Sequence, residues 1–404
     1  MLALGVALLA AAALGAAIVR PAVADFLAEG AAGVAEIARA LAWDPASPTL
    51  HLALGDALLD AGDYAQARQH LETARRLRPT NAYAPLHLAL LADREGDRPR
   101  ARQALDEALR LDPHDVTLRW EAGLLHVLWG EREPALAHLR YVLAVDPRQR
   151  DAAFQLARQL LGPGDDPGTL LPDEADGLTH MLLTALRHGD AALARVAWTK
   201  RVRLGPRLAE MTGRQYLDAL LAAGDGAMAL RVWQTLAPPD GQIGGNRVWN
   251  GGFETGRLLG WGLDWHLSRV WGVDVALDRV SAAAGAQSLR LRFNSFPTLD
   301  FAGVWQPVAV EPGRDYRLRA LARVTDFVTR SGVKLQVVAP GAPERVLAET
   351  PPIAGTTDGW VPLEARVSVP AGTSLVLLRL RRERAPLPEG NLGGRVWIDE
   401  VRLE

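Results

Sequence analysis

The 404-residue chain contains no cysteine. That absence excludes a disulfide framework, a thiolate metal site and a cysteine nucleophile. It also excludes a lipid anchor built on a cleavage-site cysteine. Neither sign of charge dominates: 45 Lys and Arg stand against 47 Asp and Glu, a formal net charge of −2. A nucleic-acid partner would need a basic footprint, so none is expected. HExxH, GxSxG, GxGxxG and phosphate-loop patterns are all missing. The first nineteen residues, MLALGVALLAAAALGAAIV, hold no charged side chain, and no basic region precedes them.

That apolar run approaches the ~20 residues that cross a bilayer as a helix. Two readings of residues 1–24 stay open. One is an uncleaved transmembrane anchor, the reading we favour. The other is a signal peptide cleaved after Ala22-Val23-Ala24. A buried solenoid helix fits less well, because the run has no polar face.

What is present is a repeat. Pro45, Pro79, Pro113 and Pro147 are 34 residues apart and close the runs LAWDP, RRLRP, LRLDP and LAVDP. Gly62, Gly96 and Gly130 recur in register, as do Ala67, Ala101 and Ala135, and Leu71, Leu105 and Leu139. The glycine suits a turn between two helices, where φ > 0 costs little. The alanine suits a close helix–helix approach, the leucine a seam between neighbours, and the proline an exit from the second helix. Residues 31–45 read as the second helix of an upstream half-repeat. After Pro147 a further hairpin begins and is interrupted by a turn-rich insertion at 162–177. Gly189, Ala194, Trp198 and Pro206 hold the spacing of one degenerate unit, and Gly224, Ala229 and Trp233 that of another.

This pattern resembles the tetratricopeptide repeat (TPR) family, including its Leu54-Gly55 pair. The resemblance implies an α-solenoid over 26–238, with clean repeats at 46–147, whose first helices line a concave groove. Its inward positions would include Leu52, Asp56, Tyr83, Leu86, Leu90, Thr117, Trp120 and Leu124. Such a mostly apolar groove suits an extended peptide or an amphipathic helix of a protein partner. Trp120 is the expected anchor. The histidines at 51, 70, 87, 126 and 138 fall at different repeat positions and read as surface residues of helices.

Beyond a linker at 239–246, helical periodicity stops. Short alternating runs follow, among them SLRLRF at 288–293, VKLQVVA at 333–339, LVLLRLRR at 375–382 and RVWIDEVRL at 395–403. Gly, Pro, Asp and Ser clusters bound them, as in an all-β sandwich. Residues 247–404 carry Asn250-Gly251-Gly252-Phe253-Glu254, Gly260-Trp261, Gln306, Glu311-Pro312-Gly313, Trp360 and Val396-Trp397-Ile398-Asp399-Glu400-Val401. In that order they resemble carbohydrate-binding jelly rolls of the family 4/9 type, and galactose-binding-like sandwiches more broadly. The resemblance implies a glycan ligand and a structural calcium ion held by Glu254 and Asp399. Calcium takes roughly six to eight oxygens, so other groups would have to join them. The alternative is that both carboxylates cap turns or pair with arginines.

Seven of the twelve tryptophans lie in this module. Trp261, Trp360 and Trp397 occupy family-like core positions. Trp265, Trp271 and Trp305 are the glycan candidates, because sugar C–H faces stack on exposed rings.

The expected architecture is therefore multidomain, α plus all-β: a membrane helix, a TPR solenoid and a C-terminal sandwich. Ala/Arg/Leu-rich usage suggests a bacterial source. The expected role is a non-enzymatic envelope scaffold beside polysaccharide assembly, export or surface sorting, anchored in the inner membrane with periplasmic domains. A secreted or periplasmic form after signal cleavage is the alternative. A purely protein–protein scaffold is the second functional reading. A glycan-active enzyme is the third, and it would need paired carboxylates in a cleft.

Overall fold

The computed structural model describes Val23 and residues 33–404, except 163, 206–209, 239–244, 295–298, 342 and 386–391. The anchor or signal segment at 1–24 thus lies outside the described residues but for Val23, as does most of the linker at 239–246. No helix among the described residues is long and apolar enough to cross a membrane. The chain divides into two compact units, residues 1–200 and 201–404.

The first unit is a run of helical pairs. α1 (Val34–Trp43) precedes three regular hairpins: α2 (Pro48–Asp60) with α3 (Tyr64–Leu77), α4 (Tyr83–Arg94) with α5 (Arg98–Leu111), and α6 (Val116–Leu128) with α7 (Arg132–Val145). The expected register is borne out residue by residue. Gly62, Gly96 and Gly130 make the turns at φ of 81°, 80° and 73°. Ala67, Ala101 and Ala135 are wholly buried, and Leu71, Leu105 and Leu139 are at most 1% exposed. Each such leucine contributes about 2 kcal/mol by leaving water. In the first two hairpins the second helix starts on an aspartate that follows the turn glycine, whereas in the third Glu131 stands there without a side-chain cap. Asp63 accepts from Gln66 N and Asp97 from Arg100 N, both at 3.1 Å, which satisfies an otherwise orphaned helix N–H.

The array then loses regularity. α8 (Arg150–Leu160) is followed by a 3-10 turn at Pro167–Leu170, and only then by α9 (Ala175–Arg187) and α10 (Ala191–Arg203). The glycine–aspartate turn returns between these two, with Gly189 at φ 68° and Asp190 accepting from Leu193 N.

The second unit opens with one more helical pair, α11 (Glu210–Ala222) and α12 (Gly226–Leu236), and continues, among the described residues, as ten strands. Repeat spacing assigns that pair to the solenoid, but its packing joins it to the sandwich. Ser374 Oγ accepts from Gly226 N at 3.0 Å and donates to Gly224 O at 2.9 Å. Trp233 of α12 is fully buried and meets Trp249 and Trp261 edge-on, at 5.3 and 4.9 Å between ring centroids. Gly262, at φ 62°, passes so close that a Cβ there would lie 2.3 Å from the Trp233 ring.

The strands are β1 (His266–Leu267), β2 (Val273–Asp278), β3 (Ser288–Asn294), β4 (Phe301–Ala309), β5 (Asp315–Thr325), β6 (Lys334–Ala339), β7 (Arg345–Glu349), β8 (Val361–Ser368), β9 (Leu375–Arg382) and β10 (Gly393–Leu403). They form two antiparallel sheets, ordered β1-β4-β9-β6-β7 and β2-β3-β10-β5-β8, which is the two-sheet sandwich that the alternating runs imply. Alternation of side chains puts Val304, Val308, Leu335, Val337, Leu378 and Leu380 of the first sheet into a shared core with Leu289, Leu291, Ala322, Val324, Val396 and Ile398 of the second.

Candidate functional site

The groove residues sit on α2, α4 and α6, the first helices of the regular repeats. Leu52, Tyr83, Leu90, Trp120 and Leu124 are half-buried and Thr117 is exposed. Leu86 is a correction: at 2% exposure it belongs to the repeat core and offers no surface to a ligand. It belongs to the same buried apolar cluster as Leu54, Leu88 and Ala89. Tyr83 is held from below, its hydroxyl donating to Asp115 Oδ2 at 2.8 Å.

Between these apolar positions the expected groove residue Asp56 meets a histidine that the sequence reading placed on the helix surface. Asp56 Oδ1 is 2.9 Å from His87 Nδ1, and this contact holds the Asp56 carboxyl below its ordinary range. Glu121 is half-buried nearby. Burial pushes its carboxyl upward, the His87 ring opposes that and the charge of Asp56 adds to it. His87 and Glu121 are 34 residues apart, so the repeat register could have revealed the cluster.

The other histidines also gather. His51 Nδ1 and His70 Nδ1 are 3.0 Å apart across the first hairpin, and the His126 and His138 rings stack at 5.3 Å. His138 is buried, contrary to the surface reading, and burial with Arg119 beside it pushes its pKa down to about 4.

In the sandwich the three glycan candidates separate. Trp265 is a correction. It is fully buried, donates from Nε1 to Asn250 O at 3.1 Å and packs on Phe253, so it is a core residue. Buried Asp264 turns the chain there by accepting from Leu259 N and Trp265 N. Trp271 is 80% exposed. Trp305, on β4, is half-buried with its outer ring stacked on His266 at 4.0 Å and 13°. Among the tryptophans expected in the core, Trp397 is 7% exposed, whereas Trp261 and Trp360 are half-buried.

Trp305 belongs to a row that crosses the whole first sheet. By register, His266 on β1 faces Trp305 on β4, which faces Arg379 on β9, then Gln336 on β6, then Glu349 on β7. Arg379 Nε donates to Gln336 Oε1 at 3.1 Å, and Gln336 Nε2 donates to Glu349 Oε2 at 2.8 Å. Lys334 Nζ lies 2.8 Å from Glu349 Oε2, and Arg379 Nη1 2.8 Å from Glu344. These side chains share the outer face, because the alternate positions on the same strands point into the core. Gln336 is buried at 3% exposure and serves to hold its neighbours, so what the row offers a pyranose is the Trp305 and His266 ring pair with Arg379 and the exposed Glu349, for its C–H and hydroxyl edges.

Glu254 and Asp399 are engaged by backbone N–H groups of neighbouring stretches of one loop. Glu254 accepts from Ala286 N and Gln287 N, while Asp399 accepts from Ala283 N, Ala284 N and Glu400 N. Both carboxylates therefore clamp the loop before β3. Among the described residues no group of three or more His, Asp or Glu side chains gathers as metal ligands would. Burial pushes the Asp399 carboxyl above its ordinary range, against the pull of those N–H donors.

Comparison with known proteins supports the helical assignment directly. The tetratricopeptide repeat family model matches residues 29–84 and 58–125, which span the first two regular hairpins and most of α6. Among curated proteins no match is found. Three solved structures are similar in part. A family 16 carbohydrate-binding module is 17% identical, covering 39% of this chain and 99% of its own length, with a TM-score of 0.28. PilF of Pseudomonas aeruginosa is 19% identical, covering 49% of this chain and 78% of its own, at 0.25. The CBM22-1 xylan-binding domain of Paenibacillus barcinonensis Xyn10C is 18% identical, covering 35% and 84%, at 0.26. At these values the likenesses carry no weight for function, and the sandwich is argued from its own topology.

Proposed function

We propose that this chain is a non-catalytic scaffold of a bacterial cell envelope, tethered to the inner membrane by its N-terminal segment. Its TPR groove binds a protein partner and its sandwich binds a glycan. The observation that carries the glycan reading is the five-strand row from His266 through Trp305, Arg379 and Gln336 to Glu349. It places one stacked aromatic surface beside several hydrogen-bonding groups, and Trp271 is exposed in the loop that follows β1. The further proposal of a place beside polysaccharide assembly, export or surface sorting rests on association with the combination of a repeat array and a carbohydrate-binding-like sandwich.

A second reading has its own observation. Arg379, Gln336 and Glu349 already satisfy one another, as they would on a structural sheet face. On that reading the whole chain is a protein–protein scaffold. Affinity electrophoresis of the full chain in gels containing a panel of polysaccharides separates the two. Retardation by at least one neutral polymer supports the glycan reading; unaltered mobility in all the neutral ones replaces it with the second.

Calcium is a separate proposal that rests on the family resemblance, with Glu254 and Asp399 as the residues that would hold it. Its test is thermal unfolding in calcium chloride against chelator. A calcium-dependent rise in the midpoint supports it, and coincident curves reject it.

A further inference from the structure

The outer face of the second sheet carries an uncompensated arginine field. On β3 and β10, Arg292 and Arg395 stand directly opposite each other. On β5, Arg323 faces Trp397, the next outward position of β10, and lies over its ring at 5.8 Å. Nearer the other end of the sheet Arg317 on β5 faces Arg366 on β8. All five arginines are exposed. Four of them, Arg292, Arg395, Arg317 and Arg366, make no side-chain ion pair with the described residues. By contrast Arg290, also on β3, is held by Asp278 at 3.1 Å, and Arg319 on β5 by Glu364 at 3.5 Å. Carboxylates are thus present on this face and pair with other arginines. Asp274 is the register neighbour of Arg292, yet its near cation is Arg290 at 3.9 Å.

Like charges directly opposite on a sheet are destabilising. Here two such pairs, Arg292 with Arg395 and Arg317 with Arg366, lie on one face of one sheet, in a chain of nearly balanced charge. Neighbouring strands are about 4.8 Å apart, so the cluster spanning β3, β10 and β5 extends for about 10 Å. Guanidinium forks bind carboxylates bidentately, and an extended anion would relieve the repulsion while it bound. We infer that this face is an anion-binding surface for an acidic polysaccharide bearing carboxylates along its length, distinct from the face that carries Trp305. A membrane is less suited to it, since the apolar side chains on this face are few and small in area, Pro362 exposed and Leu321 half-buried between the cations. Trp397, its one aromatic ring, is buried and donates to Asp278 Oδ2 at 2.9 Å.

The test is affinity electrophoresis of the full chain in gels of polygalacturonate and of its methyl-esterified, uncharged form, with flotation on phosphatidylglycerol vesicles alongside. The wild type is expected to be retarded by the acid polymer only, and less so as salt rises. R292Q/R395Q is expected to weaken that binding at least about tenfold, the equivalent of one lost charged hydrogen-bond pair. Its unfolding midpoint should be equal to or above that of the wild type, because repulsion has been removed. W305A should bind polygalacturonate as the wild type does, so failure of the neutral-sugar face and failure of this surface are read separately. No retardation by polygalacturonate, equal retardation by the esterified polymer, undiminished binding by the double variant, or binding to vesicles alone would each overturn the inference.

Discussion

Trp265 and Trp305 show what one side chain's direction decides. Both are tryptophans in the sandwich with a histidine nearby in the chain or across strands, and the sequence alone ranks them together. Trp265 sits before β1, where Asp264 turns the backbone and drives the ring inward. Trp305 sits on β4 at an outward position between Val304 and Gln306, both buried. Trp265→Ala should cost about 3–5 kcal/mol, the range for emptying a buried aromatic site. Trp305→Ala should leave the unfolding midpoint within a few degrees and abolish retention on neutral polysaccharide. Chemical denaturation beside affinity electrophoresis reads both.

A second residue-scale expectation concerns His138. Its pKa in the folded chain is about 4, against about 6.5 in the unfolded chain, because burial disfavours the imidazolium. Below pH ~6.5 the unfolded state takes a proton that the folded state refuses. The stability associated with a neutral His138 is therefore complete above pH ~6.5 and is lost as pH falls toward 4. His70, His126 and His180 are shifted the same way, each by burial first. Unfolding midpoints of the full chain should fall between pH 6.5 and 4, and His138→Leu should flatten part of that slope. A slope unchanged by the substitution would remove His138 as a contributor.

At the scale of elements, the helical hairpins are the most legible part of the molecule in sequence. Gly96 shows why. It stands at φ 80° with nothing within 4 Å of the place a Cβ would occupy, so Gly96→Ala meets no clash and only conformational cost. That cost should be about 1–2 kcal/mol. Asp97→Ala, which removes the cap on Arg100 N, should cost about 1 kcal/mol. Equilibrium denaturation of the two variants checks both. The register also carries a signal beyond the repeat spacing itself. Aspartate follows the turn glycine at 63, 97, 190 and 225, and in each case it caps the next helix. The strands are legible as alternation, but their neighbours are not. The sheet order β1-β4-β9-β6-β7 joins strands distant in sequence, so neither the Trp305 row nor the facing arginines can be seen before the pairing is known.

At the scale of the whole molecule, the boundary between helices and strands in sequence differs from the boundary between compact units. The last helical pair lies with the sandwich because Trp233 fills a site lined by Trp249, Trp261 and Gly262. A fragment of residues 201–404 should therefore unfold in one cooperative transition. A fragment starting at 243 leaves Trp249 and Trp261 uncovered and Ser374 without its two backbone partners, and should unfold at a lower temperature or aggregate. Equal midpoints for the two fragments would contradict that packing account. The same logic places binding tests on the full chain rather than on the strands alone.

The central claim is that a protein-binding TPR array and a sugar-binding sheet face share one chain. Glycan-array binding of the full chain beside Trp305→Ala tests it most directly. Discrete neutral-glycan signals are expected for the wild type and should disappear in a variant of unchanged fold. No neutral-glycan signal for the wild type, or neutral-glycan signals that survive Trp305→Ala intact, would contradict it.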